Sequence, residues 1–111
     1  MKRIDAIIRI SKFGDVMNAL REIGIDFFSC WDLTGVGDEI KESCHGIVSE
    51  ATFIPRELLT IVVKDLNLKK TIDCIRQSAK TGVAGDGRIF VTEISESYKI
   101  RDEDEGNESL I

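Results

Sequence analysis

The residues of this chain best suited to chemistry sit in one run, Thr81-Gly82-Val83-Ala84-Gly85-Asp86-Gly87-Arg88-Ile89-Phe90-Val91. Its glycines permit left-handed or tight backbone and remove the side chains that would keep a ligand away from the main chain. Asp86 can accept hydrogen bonds, and the Arg88 guanidinium can pair with an anion. These types in this order suit a phosphate or nucleotide cradle. The plainer reading is a helix-to-strand connection, with Gly82 closing the helix and residues 85–87 making a turn. A Walker phosphate loop does not fit. Arg88 and Ile89 replace its Lys and Ser or Thr, and here a helix precedes the loop and a strand follows.

Other candidates are weaker. Cys44 and His45 are metal-ligand types, but adjacent residues rarely reach one ion together and no second pair is in sequence reach. The chain has a single histidine, and no Ser-His-Asp or paired-acid arrangement argues for turnover. Phe27, Phe28 and Trp31 read as core or subunit contact rather than as a base-stacking platform, because no basic residues accompany them. The net charge of −5 likewise argues against a general nucleic-acid binder. A chain of 111 residues is one domain, and its 42% hydrophobic and 32% charged content fit a soluble globular protein. No apolar run is long enough to span a membrane, and the N-terminus lacks a signal-peptide pattern. Three cysteines with no CxxC favour reduced thiols, hence a cytoplasmic location.

The elements that must position the loop follow from periodicity. Ile4, Ala6, Ile8 and Ile10 alternate with Arg3, Asp5 and Arg9, which predicts a strand over residues 1–10. Ser11 is placed to cap a helix carrying Phe13, Val16, Met17, Leu20 and Ile23 and ending at Gly24. A second strand covers 25–36. Residues 38–53, charged and polar with few regularly spaced apolar positions, read as a long connection. After Pro55 a third strand runs over 57–64. Asp65 or Asn67 caps a second helix with Leu68, Ile72, Ile75 and Ala79 on its buried face. The fourth strand covers 88–94. Tyr98-Lys99-Ile100-Arg101 is basic, and the acidic run over 102–108 reads as a solvated tail. Strand, helix, strand, strand, helix, strand is the split βαβ order, an α+β ferredoxin-like βαββαβ fold. It predicts an antiparallel four-stranded sheet with both helices on one face and an open face suited to self-association.

In that frame the chain resembles the PII signal-transduction family over nearly its whole length, as a single PII-like domain over 1–111. The opening Met1-Lys2-Arg3-Ile4-Asp5-Ala6-Ile7-Ile8-Arg9 is similar to the family's first strand. Gly35-Val36-Gly37 matches the Gly-x-Gly that opens its T-loop, here about 37–55. Residues 81–91 match its B-loop signature, with the loop itself about 81–88, and Tyr98-Lys99-Ile100-Arg101 resembles its basic C-terminal loop, about 98–111.

The resemblance implies a compact homotrimer binding ATP or ADP between subunits, with T-loops that contact an ammonium transporter, another membrane transporter or a metabolic enzyme. It implies that the Gly85, Asp86 and Gly87 backbone and the Arg88 side chain hold phosphates, with Lys99 and Arg101 from the facing subunit. Ile7, Ser29, Gly35, Gly37 and Thr60 would line the adenosine side, and Arg56 would stand where the family has an anion-pairing Lys. Peptide N–H groups plus three cations suit a polyphosphate. The family usually has Lys at the place of Arg88 and Arg at that of Lys99. Both exchanges keep the charge and change the fork geometry.

The T-loop departs further. Glu39, preceded by Asp38, replaces the glutamine that helps hold Mg²⁺ and 2-oxoglutarate. A carboxylate can still hold Mg²⁺ with a nucleotide but repels a dicarboxylate, which counts against 2-oxoglutarate. The only tyrosine is Tyr98, so uridylylation of the usual kind is excluded; Ser49 before Glu50 resembles the family's phosphorylated serine. The leading expectation is thus a regulatory nucleotide sensor, not an enzyme, with no nucleic-acid partner. Two alternatives stand beside it: a PII-like sensor of another nucleotide, an anion or a metal, and an enzyme on the same fold, such as an acylphosphatase or a nucleoside-diphosphate kinase.

Overall fold

The computed structural model describes residues 1–43 and 46–110, the side chains of 38–51 excepted. Cys44 and His45 lie outside the described residues, as do the side chains of Asp38, Glu39 and Ser49. The elements follow the order β1 (Lys2–Ile8), α1 (Phe13–Glu22), β2 (Ser29–Ser43), β3 (Gly46–Val63), α2 (Leu68–Ala79) and β4 (Arg88–Glu93), with short 3₁₀ turns before each helix and near the C-terminus. The sheet order is β2-β3-β1-β4, and every pairing is antiparallel. This is the expected ferredoxin-like α+β arrangement.

The period-2 pattern of β1 decides which face is which. Ile4, Ala6 and Ile8 are buried and pack with Leu59, Ile61 and Val63 of β3 beneath Val16 and Leu20 of α1 and Ile75 and Ala79 of α2. The intervening residues Arg3, Asp5 and Ile7 point to the other face. In register with them lie Val62, Thr60 and Leu58 of β3 and Thr92, Phe90 and Arg88 of β4. Among the described residues that face carries no helix. Trp31 and Phe90 are each half exposed on it, and Val62 is 36% exposed.

Several boundaries differ from the sequence expectations. Ser11, Asp65 and Asn67 make no side-chain cap; each helix is entered through a 3₁₀ turn instead. The second strand begins later than expected, since β2 starts at Ser29 rather than at 25. The second helix stops at Ala79, so Gly82 belongs to the loop. The largest correction concerns 38–53. It is not an irregular connection but the continuation of β2 and β3 as a two-stranded ribbon, in register from Gly37↔Thr52 to Ser43↔Gly46. A ribbon that projects past the helices has no core face, so nothing demands the apolar alternation by which strands are recognised. The arm gives the molecule a long axis of 65 Å against 24 and 20 Å.

The acidic C-terminal run is also not a free tail. Tyr98 bridges Glu105, the Lys99 N–H donates to the Asp104 carbonyl at 3.0 Å, and the Gly106 N–H donates to the Ser97 carbonyl at 2.7 Å. Asp102 makes the turn by accepting from the Asp104 N–H at 3.0 Å. Here the carboxylates act as turn formers and as a partner for Lys99, whose ammonium pairs with Asp104 at 3.3 Å.

One buried carboxyl sits at the root of the arm. Glu57 faces Ile8 across β1 and Asp32 across β2. Burial pushes its carboxyl up from the ordinary 4.5, the neighbouring Asp32 carboxyl pushes it further, and the Cys30 thiol opposes them. A raised folded-state value means that the protonated form is favoured in the fold. The stability is present below the unfolded value and lost as pH rises through the folded one. Unfolding free energy should therefore fall as pH is raised above 4.5 through the Glu57 titration, and Glu57→Gln should flatten that slope in urea melts at fixed protein concentration. Leu59→Ala, at a fully buried core position, should cost about 2–5 kcal/mol in the same assay.

Candidate functional site

The loop between α2 and β4 owes its shape to one carboxylate. Asp86 accepts from the Thr81 N–H at 3.0 Å, the Gly82 N–H at 2.9 Å and the Thr81 hydroxyl, and pairs with the Arg9 Nε at 3.1 Å. The Thr81 hydroxyl, then the Thr81 and Gly82 amides and Arg9, hold this carboxyl well below the usual carboxylate range. Asp86 thus stays ionised at neutral pH and turns back toward its own loop.

Two arginines grip the same loop. Arg9 Nη2 donates to the Ala84 carbonyl at 3.0 Å, and Arg56 Nη2 donates to the Gly85 carbonyl at 2.9 Å. Because the peptide unit is planar and trans, the C=O of one residue and the N–H of the next point in opposite directions. Drawing the Ala84 and Gly85 carbonyls toward the arginines therefore turns the Gly85 and Asp86 N–H groups the other way. Neither N–H has an acceptor among the described residues. Outward amides at a glycine turn form an anion-binding nest.

The glycines are required by contact. A Cβ on Gly87 would lie 1.7 Å from the Ile7 carbonyl oxygen, and its φ is +106°. One on Gly85, φ +100°, would meet Arg56 Nη2 at 3.1 Å and Arg9 Nη2 at 3.3 Å. Arg88 opens β4 directly opposite Ile7, and its exposed side chain has no ion-pair partner among the described residues.

Strand parity distributes the other expected residues. Ile7, Ser29, Gly35, Gly37, Arg56, Thr60 and Arg88 all register on the helix-free face. Gly85, Asp86, Gly87, Arg88, Ile7 and Arg56 come together at one end of it. Ser29 and Thr60 pair with one another further down the sheet, and the Thr60 hydroxyl is donated to Asp5 at 2.7 Å. Gly35 and Gly37 lie up the arm, opposite Ile54 and Thr52. Lys99 and Arg101 lie beyond the far end of β4, so a single chain does not bring them to the loop. Sequence reasoning missed Arg9. Its alternation with Ile8 marked it as a polar strand residue, and only the fold carries it across to Asp86.

Comparisons with known proteins show the family of this chain and match its fold. The model of the family described as "Nitrogen regulatory protein P-II" matches residues 1–104. This chain belongs to the P-II family. Curated P-II relatives include "Nitrogen regulatory protein P-II 1" of Methanothermobacter thermautotrophicus, 37% identical over 99% of this chain and 97% of the relative. "Nitrogen regulatory protein P-II" of Bradyrhizobium diazoefficiens is 35% identical over 99% of this chain and 100% of its own. Among solved structures, B. subtilis GlnK superimposes with a TM-score of 0.84 at 29% identity, covering 98% of this chain and 97% of that one. The B. subtilis GlnK–ATP complex does so with a TM-score of 0.84 at 28% identity, covering 98% and 96%. P-II membership makes this chain a regulatory protein rather than an enzyme. Among the described residues, no helix is long and apolar enough to cross a membrane.

The closeness of Gly87 to β1 generates a sharp expectation. Gly87→Ala combines a backbone collision with a left-handed φ and should lower stability by about 1–3 kcal/mol. A thermal melt of the variant that matches the wild type would contradict the described loop.

Proposed function

We propose that this protein is an adenine-nucleotide-responsive regulator that binds ATP or ADP at the glycine loop and controls a target of nitrogen metabolism through its arm. The observation that carries this reading is the loop itself: two outward N–H groups, two carbonyls held back by Arg9 and Arg56, and the uncommitted cation of Arg88 beside them. Membership in the P-II family and the similarity to GlnK, which has been solved with ATP, support it. Gly85, Asp86 and Gly87 would hold phosphates through their backbone and Arg88 through charge, while Arg56 would add its charge from behind the loop, where it holds the Gly85 carbonyl.

The site is incomplete in one chain, and the sheet face beside it carries exposed apolar residues. A homotrimer accounts for both. It would cover Trp31, Val62 and Phe90 and bring Lys99 and Arg101 of a neighbouring copy to the phosphates. Ile7, Ser29, Gly35, Gly37 and Thr60 would flank the nucleoside. Mg²⁺ would find carboxylate chemistry at Glu39. The same Asp38-Glu39 pair disfavours a dicarboxylate, so we read the sensor as uncoupled from 2-oxoglutarate. The target would be an ammonium transporter, another membrane transporter or a metabolic enzyme, met in the cytoplasm.

Calorimetry with ATP, ADP and AMP, each with and without Mg²⁺ and 2-oxoglutarate, tests the reading. ATP and ADP should bind, AMP more weakly, and 2-oxoglutarate should leave ATP affinity unchanged. Arg88→Ala should weaken ATP binding by about tenfold or more while light scattering still shows a trimer. Unaltered affinity in that variant would remove the assignment.

A further inference from the structure

Arg9 is held in a way that neither its strand position nor a direct ligand role explains. It stands just past the end of β1, and its side chain is only 24% exposed. Its Nε is spent on Asp86 and its Nη2 on the Ala84 carbonyl, 3.1 and 3.0 Å away. The guanidinium therefore links the carboxylate that ties the start of the loop to a carbonyl at its apex. Only a planar fork with separated donors spans both acceptors at once; a lysine ammonium reaches one of them as a point charge.

The position of the Arg9 head group sets its role. With Arg56 it fills the underside of the loop, where even a methyl group on Gly85 would touch both guanidiniums. The Gly85 N–H shares a peptide unit with the Ala84 carbonyl and faces away from Arg9. We propose that Arg9 is a positioning residue of the phosphate site, which fixes residues 84–86 so that the Gly85 and Asp86 N–H groups stay aimed at the ligand. This rests on the nucleotide reading for the identity of the ligand, but the hold on the loop is a property of the ligand-free chain. Arg9 and Arg56 place two positive charges on one side of two peptide units, with Asp86 the only carboxylate paired to either among the described residues. The loop is thereby pre-ordered and electropositive before any anion arrives, which spares the ligand the cost of ordering it.

Amide hydrogen exchange on the ligand-free protein tests the hold, and calorimetry with ATP tests its consequence. In Arg9→Ala, exchange should accelerate at the Thr81, Gly82 and Val83 amides, which are bonded to Asp86 and the Thr81 hydroxyl, and stay unchanged in β1 and α2. ATP should bind about tenfold or more weakly. Arg9→Lys should recover part of both effects. A merely structural residue would instead lower protection across the whole sheet, and the lysine variant would restore it fully; either result overturns the proposal. So does loop exchange equal to wild type, or an accelerated loop with ATP affinity unchanged. If the wild type binds neither ATP nor ADP, the nucleotide reading fails, and the exchange measurement still decides for or against the hold of Arg9 on the loop.

Discussion

The inward turn of the Asp86 carboxylate is the interaction on which this site depends. A carboxylate beside a phosphate would repel it. Here the charge is used up on the Thr81 and Gly82 amides, the Thr81 hydroxyl and Arg9. The acid thus serves as the internal strut of a cation-lined turn. With it in place, the carbonyls of Ala84 and Gly85 can be drawn back by Arg9 and Arg56, and the amide hydrogens are left for an anion.

β1 is the second element on which the arrangement rests. It is central in the sheet, hydrogen-bonded to β3 on one side and β4 on the other. One face of it fills the core through Ile4, Ala6 and Ile8. The other offers Ile7, whose carbonyl defines how closely Gly87 can approach. The next residue past its end supplies Arg9. The Met1 ammonium, 2.9 Å from Asp65, and Lys2, which pairs with Asp65 and Glu93, fasten its start to the elements on both flanks. Core, loop clearance and loop strut are thereby tied to the register of a single seven-residue strand.

Much of this was legible in the sequence. Strand alternation at Ile4, Ala6 and Ile8 and the helical stripes through Leu20 and Ile75 gave the fold class, because burial on one face imposes those periods. The glycine loop was legible because its backbone needs those residue types. What escaped detection has a physical reason in each case. The arm continues past the sheet as a two-stranded ribbon, where no core face imposes a period on the sequence. The C-terminal turn is closed by backbone pairing and by Asp102 and Asp104, which in a string of acids look like solvated charge. Arg9 works through a contact 77 residues away in the chain. Long-range side-chain contacts of that kind carry no local signature at all.

The arm has a mechanical meaning as well as a chemical one. Arg56, which holds the Gly85 carbonyl, is itself a residue of β3 and pairs with Leu33 where the ribbon leaves the body of the sheet. From there the ladder continues without a break to Ser43 opposite Gly46, ten register steps or about 33 Å at the usual strand rise. A stiff rod clamped at one end turns small rotations into large travel. A tilt of the ribbon axis by about 10° at Leu33 and Arg56 would move the last described pair by about 6 Å over that length. The residue that holds the Gly85 carbonyl thus sits where any such tilt of the arm would begin.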